Sequence, residues 1–276
     1  MNYLVIPRIR VRGANIINTQ AILGGPPVVA AALFAHALTR QRLGCKARGV
    51  ALIHHAITPL GERLYGVFHP QQRRAAAFTF TNKAGKDYSS KNKHALSLQP
   101  TASAHLRLSL VIELDRSTPA PDEASRFLST ARFSGGQVVG HDAIRQTTEL
   151  EDAFDTVRTG YAVIDRRDLL SDPKHPSTAH ALVDALGTRP TDDSNSWLSA
   201  TCVGYAAITT AQVRAGGRDA DLGYRHAFAE PLMGMVQFRS LRMLEPPFER
   251  LIWRPRWLRD DIFVVQQFGE SVSAQT

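Results

Sequence analysis

Residues 3–12 of the chain are YLVIPRIRVR, an apolar run that passes into strict alternation of arginine with Ile or Val. Alternation at a period of two is typical of a β-strand, because successive side chains point to opposite faces of a sheet. We predict a strand here with Ile9 and Val11 turned toward a core. Arg8, Arg10 and Arg12 then share the other face, where guanidinium groups suit phosphate.

The residues that follow extend this strand into a larger unit. A loop ends in Gly24-Gly25-Pro26-Pro27, and residues 28–42 have helical length and composition, with Gly44 as their stop. A helix start after Gly24 and Gly25 offers free backbone N–H groups. Further on we predict strands over 50–57 and 64–68 joined by a turn at 59–61, a strand over 105–114, a helix from 118 to 133, and a strand from Val138. This order predicts an α+β fold, a ferredoxin-like (RRM/RAMP-type) βαββαβ domain.

An inserted segment, residues 70–104, interrupts that unit. It carries six basic residues and a single acid, Asp87, with aromatic residues between them. Alternation at 77–81 favours a hairpin arm, or thumb, and cations beside flat rings suit single-stranded nucleic acid. A mobile basic loop without a ligand is the alternative. The candidate binding residues of this segment are Arg73, Arg74, Phe78, Phe80, Lys83, Lys86, Lys91, Lys93 and His94.

The remaining sequence predicts a mainly β carboxy-terminal part. We expect a strand over 160–164, a helix over 177–186 that Ser177 caps, and buried strands over 197–210 and 262–268 in a second sheet layer. The predicted domains are therefore residues 1–145, with 70–104 as the thumb, and residues 146–276, which complete the fold.

Charge is distributed unevenly along the chain. Residues 1–111 carry fifteen basic and two acidic residues, a net +13, whereas residues 112–230 carry a net −6 and residues 231–276 a net +1. Such a field favours a polyanion, which releases condensed counterions when a protein binds it. Nucleic acid is the leading partner, and a merely solubilising basic face is the alternative.

Several classes of protein are disfavoured by the sequence. The 276 residues with 43% hydrophobic content are enough for a stable core, and two cysteines are too few for a disulfide scaffold or a four-ligand zinc site. We expect a cytoplasmic protein without a membrane segment, metal or other cofactor. Phosphate-loop, metalloprotease and serine-hydrolase motifs are missing. His36 is the one candidate general base, although a packed core histidine explains it better.

Short motifs along the whole chain resemble the Csy-two family, the Cas-five-type subunit of the type I-F CRISPR surveillance complex (the Cascade or Csy complex). The resemblance begins with Ile6-Pro7-Arg8-Ile9-Arg10-Val11 and Gly13-Ala14-Asn15-Ile16-Ile17. It continues through Gly25-Pro26-Pro27, Phe34 to Leu38, Phe78 to Asn82, Ala104 to Leu110, Gly160 to Val163, Trp197-Leu198 and Phe238-Arg239. A short segment between Leu170 and Trp197 and the sequence Gln99-Pro100-Thr101 depart from the pattern, and these departures leave open a variant or minimal subtype.

The resemblance implies a non-catalytic antiviral-defence subunit that binds the 5′ handle of the CRISPR RNA (crRNA). It also implies contacts of the 146–276 part with the large subunit and backbone subunits, and a role in holding target double-stranded DNA near the protospacer-adjacent motif (PAM). In this interpretation Arg8, Arg10 and Arg12 contact phosphates, Asn15 and Asn18 contact bases, Gly24 and Gly25 hold the handle, and the arm closes over the RNA. Two alternatives stay open: an endoribonuclease of the RAMP superfamily that uses His36, and a stand-alone RNA-binding protein.

Overall fold

The computed structural model describes residues 1–19, 22–71, 101–117, 120–171, 173–188, 196–214, 217 and 220–268, together with the backbone of four short strands between 73 and 99. The first part contains β1 (Asn2–Asn15), α1 (Val28–Leu38), a π-helical turn (Thr39–Leu43), β2 (Ala47–Leu64), β3 (Val67–Pro70), β4 (Arg73–Arg74), β5 (Phe78–Thr81), β6 (Ala84–Asp87), β7 (Leu98–Gln99), β8 (Ser103–Leu114), α2 (Ala120–Leu128), β9 (Arg132–Phe133), β10 (Gly136–Gly140) and β11 (Arg145–Thr147). The second part contains α3 (Leu150–Val157), β12 (Tyr161–Asp165), α4 (Thr178–Gly187), β13 (Leu198–Ala207), β14 (Ala229–Ser240), β15 (Arg254–Arg259) and β16 (Ile262–Gln266), with short 3₁₀ turns between them.

Within the described residues, twelve strands form one antiparallel sheet. Its order is β15-β16-β13-β14-β12-β2-β8-β1-β10-β9, with β11 added to β1 and β3 added to β2. In the middle of the sheet α1 connects β1 to β2, and α2 lies between β8 and β10 in the chain. The chain is thus a mixed α/β protein that consists mostly of strands.

The predicted strand at residues 3–12 is confirmed, and β1 is an interior strand of the sheet. It pairs with β8 on one side and with β10 and β11 on the other. Ile9 and Val11 are buried, while Arg10 and Arg12 are exposed. The alternation in the sequence therefore reports the two faces of the strand correctly.

The main core lies on the sheet face that α1 and α2 cover. It contains Leu4 and Ile6 of β1, the leucines of β8, and seven buried residues of α1. Phe34 of α1 packs edge-to-face on Phe127 and Phe133, with ring centroids 5.5 and 5.3 Å apart. Because α1 is apolar almost all round, it also packs against β13 from its other side.

A second core lies on the opposite face, under α3. Tyr3 and Val5 of β1, Ala51 and Ile53 of β2 and Val111 of β8 pack there against Leu150, Phe154 and Val157 of α3. The strict alternation predicted for residues 105–114 therefore holds only at the start of β8. From Leu108 to Leu114 the strand is buried on both faces, because on the second face Val111 packs in the α3 core while Ser109 and Glu113 contact His55 and Arg254.

The carboxy-terminal segment also contacts β2 directly. Trp253, immediately before β15, exchanges two backbone hydrogen bonds of 2.9 Å with Val50 of β2. Its indole N–H donates to the carbonyl oxygen of Val163 at 2.9 Å, and the ring is fully buried. The segment 146–276 thus shares one sheet and one core with residues 1–145. The predicted second sheet layer is wrong, because β13 and β16 extend the same sheet.

The turn predicted at residues 59–61 is also wrong. β2 continues through this segment because β8 pairs with it as far as Leu60, and Pro59 lies opposite Ala104. The chain reverses instead at Tyr65 and Gly66, whose φ angles of 50° and 81° are both positive. Positive φ at both central residues is what a two-residue type I′ hairpin turn requires.

The helix predicted to reach Phe133 ends at Leu128. Phe133 belongs to β9, which pairs with β10 across a turn at Ser134 and Gly135, both with positive φ. Burying the Phe133 ring against α1 holds this residue in the sheet. The predicted α4 and its Ser177 cap are confirmed, since the Ser177 hydroxyl accepts a hydrogen bond from the backbone N–H of His180.

Candidate nucleic-acid interface

α3 covers only one half of its sheet face, and the other half is basic. The change occurs in β1 at a β-bulge between Ile6 and Ile9, where Arg8 has a φ of 47°. Before the bulge, Tyr3 and Val5 lie under α3. After it, arginines occupy the same face, so the bulge separates an apolar half from a charged half. We call the charged half, formed by Arg8, Arg10, Arg12, His55, His105 and Arg107, the basic face.

The basic face brings together side chains from three neighbouring strands. Arg10 and Arg12 of β1 line a shallow cavity of about 450 Å³ with His105 and Arg107 of β8, between Thr58 and Val139. The backbone N–H of Gly13 donates to Nδ1 of His105 at 3.2 Å, which orients that ring. Among the residues that the structure describes, none that lines this cavity is acidic. Its shape and charge fit a strand of phosphates better than a small neutral molecule.

Two of these arginines oppose each other directly. Arg10 and Arg107 are register partners across β1 and β8, on the same face of the sheet. Like charges at directly opposed positions destabilise an antiparallel pair. An anion bound between them would relieve that repulsion.

Asp142 is the carboxylate closest to the basic face among the described ion pairs. Its Oδ2 lies 3.2 Å from Nη1 of Arg8 and its Oδ1 lies 3.5 Å from Nη1 of Arg10. All three side chains are partly exposed, and exposed ion pairs contribute little. Within the part of the chain that the structure describes, Arg12 and Arg107 have no carboxylate within 4 Å. The face therefore keeps an excess of positive charge.

A small hydrogen-bond network holds the base of this face. The Ser109 hydroxyl accepts from the backbone N–H of Arg8 at 2.8 Å and lies 2.6 Å from Nε2 of His55. Burial, together with the positive charges of Arg8 and Arg107, lowers the pKa of His55 to about 4, while Asp142 acts in the opposite direction. His55 is thus neutral near pH 7. The charge of the face comes from arginine.

The loop residues predicted to hold the handle have packing contacts of their own. Nδ2 of Asn18 donates to the carbonyl oxygen of Gly25 at 2.8 Å. Gly25 is buried against β13, where a Cβ atom would overlap the carbonyl oxygen of Ala200. Oδ1 of Asn15 accepts from the backbone N–H of Ile17 at 3.0 Å, and Asn15 itself is exposed. Of this set, Asn15 is exposed and Asn18 and Gly24 are half-buried, and Gly24 lines a separate cavity of about 360 Å³ with Arg63 and Phe68. The structure thus does not bring the loop and the arginines into one cavity.

The hairpin predicted in the inserted segment is confirmed at the backbone level. β5 and β6 pair antiparallel with Phe78 opposite Asp87, and β4 pairs with β7. Arg73, Arg74, Phe78, Phe80 and Lys86 lie on these strands, whereas Lys83, Lys91, Lys93 and His94 lie outside the described residues.

The base of the arm lies beside the basic face. Ser103, where the chain re-enters the sheet, pairs with Asn15 of β1 and with Leu60 of β2. Asn15 is three residues beyond Arg12 on the same strand. The arm therefore leaves the sheet at the end where the basic face lies.

Sequence reasoning missed Arg107, His105, His55 and Asp142. A signal for the first two was present, because His105 and Arg107 alternate with the leucines that mark the core face of β8. His36 is exposed on α1, on the opposite side of the sheet from the arginines, so the prediction of a packed histidine is wrong.

The described residues contain neither a metal-binding cluster nor a helix suited to a membrane. No group of three or more His, Cys, Asp or Glu side chains in this part of the chain is placed to hold a metal ion. Likewise, none of its helices combines the length and the apolar composition that crossing a bilayer requires.

Comparison with known proteins gives one finding. The family model described as CRISPR-associated protein (Cas_Csy2) matches residues 4–262, nearly the whole chain. No curated protein matches it significantly.

Proposed function

The chain belongs to the CRISPR-associated Cas_Csy2 family, and from that premise we propose that it is a non-catalytic subunit of a type I-F CRISPR surveillance complex that binds the 5′ handle of the crRNA. The observation that carries this proposal is the uncovered basic face. Arg10, Arg12 and Arg107 lie there around one open cavity, and no acid of the described part of the chain lines it.

The arrangement of the central strands supports an RNA-binding scaffold. The order β10-β1-β8-β2, with α1 and α2 as the two helical connections, is that expected of a ferredoxin-like unit. RNA-binding modules of this kind use the sheet face that the helices leave free. In this chain that free face carries the arginines.

The arm extends the same surface. In our proposal the handle RNA runs across the basic face and the arm closes over it, with lysines on phosphates and Phe78 and Phe80 on unstacked bases. Target DNA near the PAM lies farther along this positive surface. The large subunit and the backbone subunits contact the part formed by residues 146–276. Sequence recognition is left to pairing with the guide, so the protein needs only to hold the backbone and shape of the nucleic acid.

We propose no catalytic step, and the position of His36 supports this. A general base must come within hydrogen-bond reach of the proton it removes. His36 lies on the α1 side of the sheet, whereas the arginines face away from α1. A substrate held by the basic face would not reach it.

The first experiment identifies the ligand. The tagged protein is purified gently from its own host, and the small RNAs that accompany it are sequenced. We expect one length class with one shared 5′ end. Heterogeneous RNAs with many 5′ ends would contradict handle binding and favour a stand-alone RNA-binding protein.

The second experiment tests the surface. The double variant Arg10→Glu/Arg12→Glu should bind that RNA about tenfold more weakly or worse, and its plot of log K against log salt should be shallower by about 1.4, since each lost phosphate contact removes about 0.7. The matched control is Arg40→Glu/Arg42→Glu, which makes the same charge change at exposed positions of the π-helical turn after α1. An unchanged affinity and salt slope in the first variant would remove the basic face from the proposal.

A further inference from the structure

A second cationic cavity lies away from the basic face. It has a volume of about 730 Å³ and lies where the ends of β12 and β16 meet β14 and β15. This volume falls within the range of small-molecule and nucleotide sites. Five arginines and two aspartates line it, so its walls carry an excess of positive charge.

Both acids of the cavity are already paired. Asp168 accepts from Nε and Nη2 of Arg166, and Asp165 forms an ion pair with Arg167. Arg166 is held further by Oε1 of Gln237 at 2.9 Å. These contacts fix the floor of the cavity and neutralise two of the five guanidinium groups.

Two other arginines retain their charge for a ligand. Nη2 of Arg250 donates to the backbone carbonyl of Glu245 at 2.9 Å, which positions its guanidinium group without neutralising it. Arg256 lies over the ring of Phe268, 5.9 Å from the centroid. Within the described residues neither arginine has a carboxylate within 4 Å, whereas Arg254 and Arg259 of the same strand are paired with Glu113 and Asp261.

The rest of the wall provides an amide and an apolar surface. Oε1 of Gln266 accepts from Nη1 of Arg167 at 2.8 Å, so its amide N–H groups point to other partners. Ile164, Leu244 and Phe268 complete the lining. An inorganic anion would use only the arginines. A ligand with a phosphate and a flat unsaturated ring would use the arginines, the amide and the apolar wall together.

We propose that this cavity binds a nucleoside phosphate, with the phosphate on Arg250 and Arg256 and the base against Phe268 and Leu244. The source is either a free nucleotide or a nucleotide of the nucleic acid that the complex carries. The inference goes beyond the proposed function, because it concerns a different surface and does not depend on the basic face.

The test uses the full-length protein at low salt. Binding of adenosine 5′-monophosphate is measured by calorimetry beside adenosine and inorganic phosphate. Separately, a short single-stranded RNA with 4-thiouridine is irradiated on the protein, and crosslinked peptides are mapped. A higher affinity for the monophosphate than for adenosine or inorganic phosphate supports a free nucleotide as the ligand. A crosslink within residues 250–268 supports a nucleotide of a nucleic acid. If neither occurs, the proposal is overturned.

Variants assign the binding to this cavity. Arg250→Ala/Arg256→Ala should lower the affinity for the monophosphate about tenfold or, if the source is nucleic acid, abolish the crosslink. Gln266→Glu keeps the acceptor for Arg167 and adds a negative charge, so it should weaken binding even if the double variant folds poorly. Arg259→Ala, on the same strand but paired with Asp261, is the control and should change binding less than about twofold. Equal effects in all three variants would overturn the site. Unchanged RNA binding in the basic-face variant with an intact cavity signal would contradict only the proposed function.

Discussion

Arg10 and Arg107 face each other across β1 and β8 without an acid between them, except for the 3.5 Å contact of Arg10 with Asp142. A charge that serves binding rather than folding destabilises the free protein, so its removal relieves repulsion and raises the free energy of unfolding. We expect Arg107→Gln to raise the free energy of unfolding by about 0.2–1 kcal/mol and to weaken RNA binding several-fold. Urea unfolding and RNA titration at low salt measure the two effects.

The control for this prediction is Arg132→Gln. Arg132 is exposed on β9 and its cross-strand partner is the neutral Gln137, so its removal relieves no repulsion across this strand pair. Its stability should stay within about 0.5 kcal/mol of the parent protein. A destabilised Arg107→Gln protein with normal RNA binding would mean that Arg107 serves the fold instead.

His54 gives the protein a stability that depends on pH. Burial lowers its pKa to about 4, and its Nε2 has no described hydrogen-bond partner. Between an unfolded pKa of about 6.5 and the folded value, the unfolded chain binds more protons, so stability falls as the pH falls through this window. From about pH 7.5 to about pH 5, His54 alone should remove about 2 kcal/mol of unfolding free energy.

The variant His54→Leu isolates this contribution. The ring packs edge-to-face on Phe238 with centroids 5.5 Å apart, so an apolar side chain is tolerated there. Its loss of stability between the two pH values should be smaller than that of the parent by about 2 kcal/mol, with the remainder due to His55. Parallel pH profiles of the two proteins would show that His54 is not protonated on unfolding.

At the scale of elements, the sequence pattern predicted correctly the features that depend on a single strand or helix. Alternation placed Ile9 and Arg10 on opposite faces, and Gly44 ends the helical segment in a left-handed conformation, as the sequence indicates. The turn at 59–61 failed because pairing with β8 outweighs the turn preference of Pro59 and Gly61. The sequence pattern could not predict which half of the sheet α3 covers, because this depends on contacts between Phe154 and strands that are distant in the chain.

We expect that the arm can be removed without disturbing the sheet. Its ends are held together at the base, where Gln71 donates from its backbone N–H to Leu60 and accepts from the Thr101 hydroxyl at 3.3 Å. Replacing residues 72–100 by a short Gly-Ser linker removes a net charge of +5. We expect little change in the thermal midpoint, an RNA affinity about tenfold lower, and a shallower salt slope.

Charge and stacking in the arm can be separated. Phe78→Ala/Phe80→Ala should weaken RNA binding by about 1–3 kcal/mol per base that loses its stacking partner, with an unchanged salt slope. Replacing the six basic residues by Gln should change the slope. If the linker variant binds RNA as tightly as the parent, the arm is a mobile basic loop without a role in the free subunit.

For the whole molecule, the question is whether residues 1–145 and 146–276 are separate folding units. β12 pairs with β2, Trp253 bonds back to Val50, and Val163, Val236 and Trp253 belong to the same core as Leu108. A core that both parts build cannot lose one part and keep the other intact. The protein should therefore unfold in a single transition.

The tryptophans provide the test, because Trp197, Trp253 and Trp257 all lie in the second part. Leu108→Ala removes a fully buried side chain from the first part and should cost about 2–5 kcal/mol. In a single cooperative unit, urea midpoints from tryptophan fluorescence and from far-UV circular dichroism shift together. Leu33→Ala makes the same truncation at a half-exposed site of α1 and should shift neither by much. A Leu108→Ala protein whose fluorescence midpoint stays at the parent value while its dichroism splits into two steps would mean that the second part folds alone, and that the shared sheet adds little to the stability of either part.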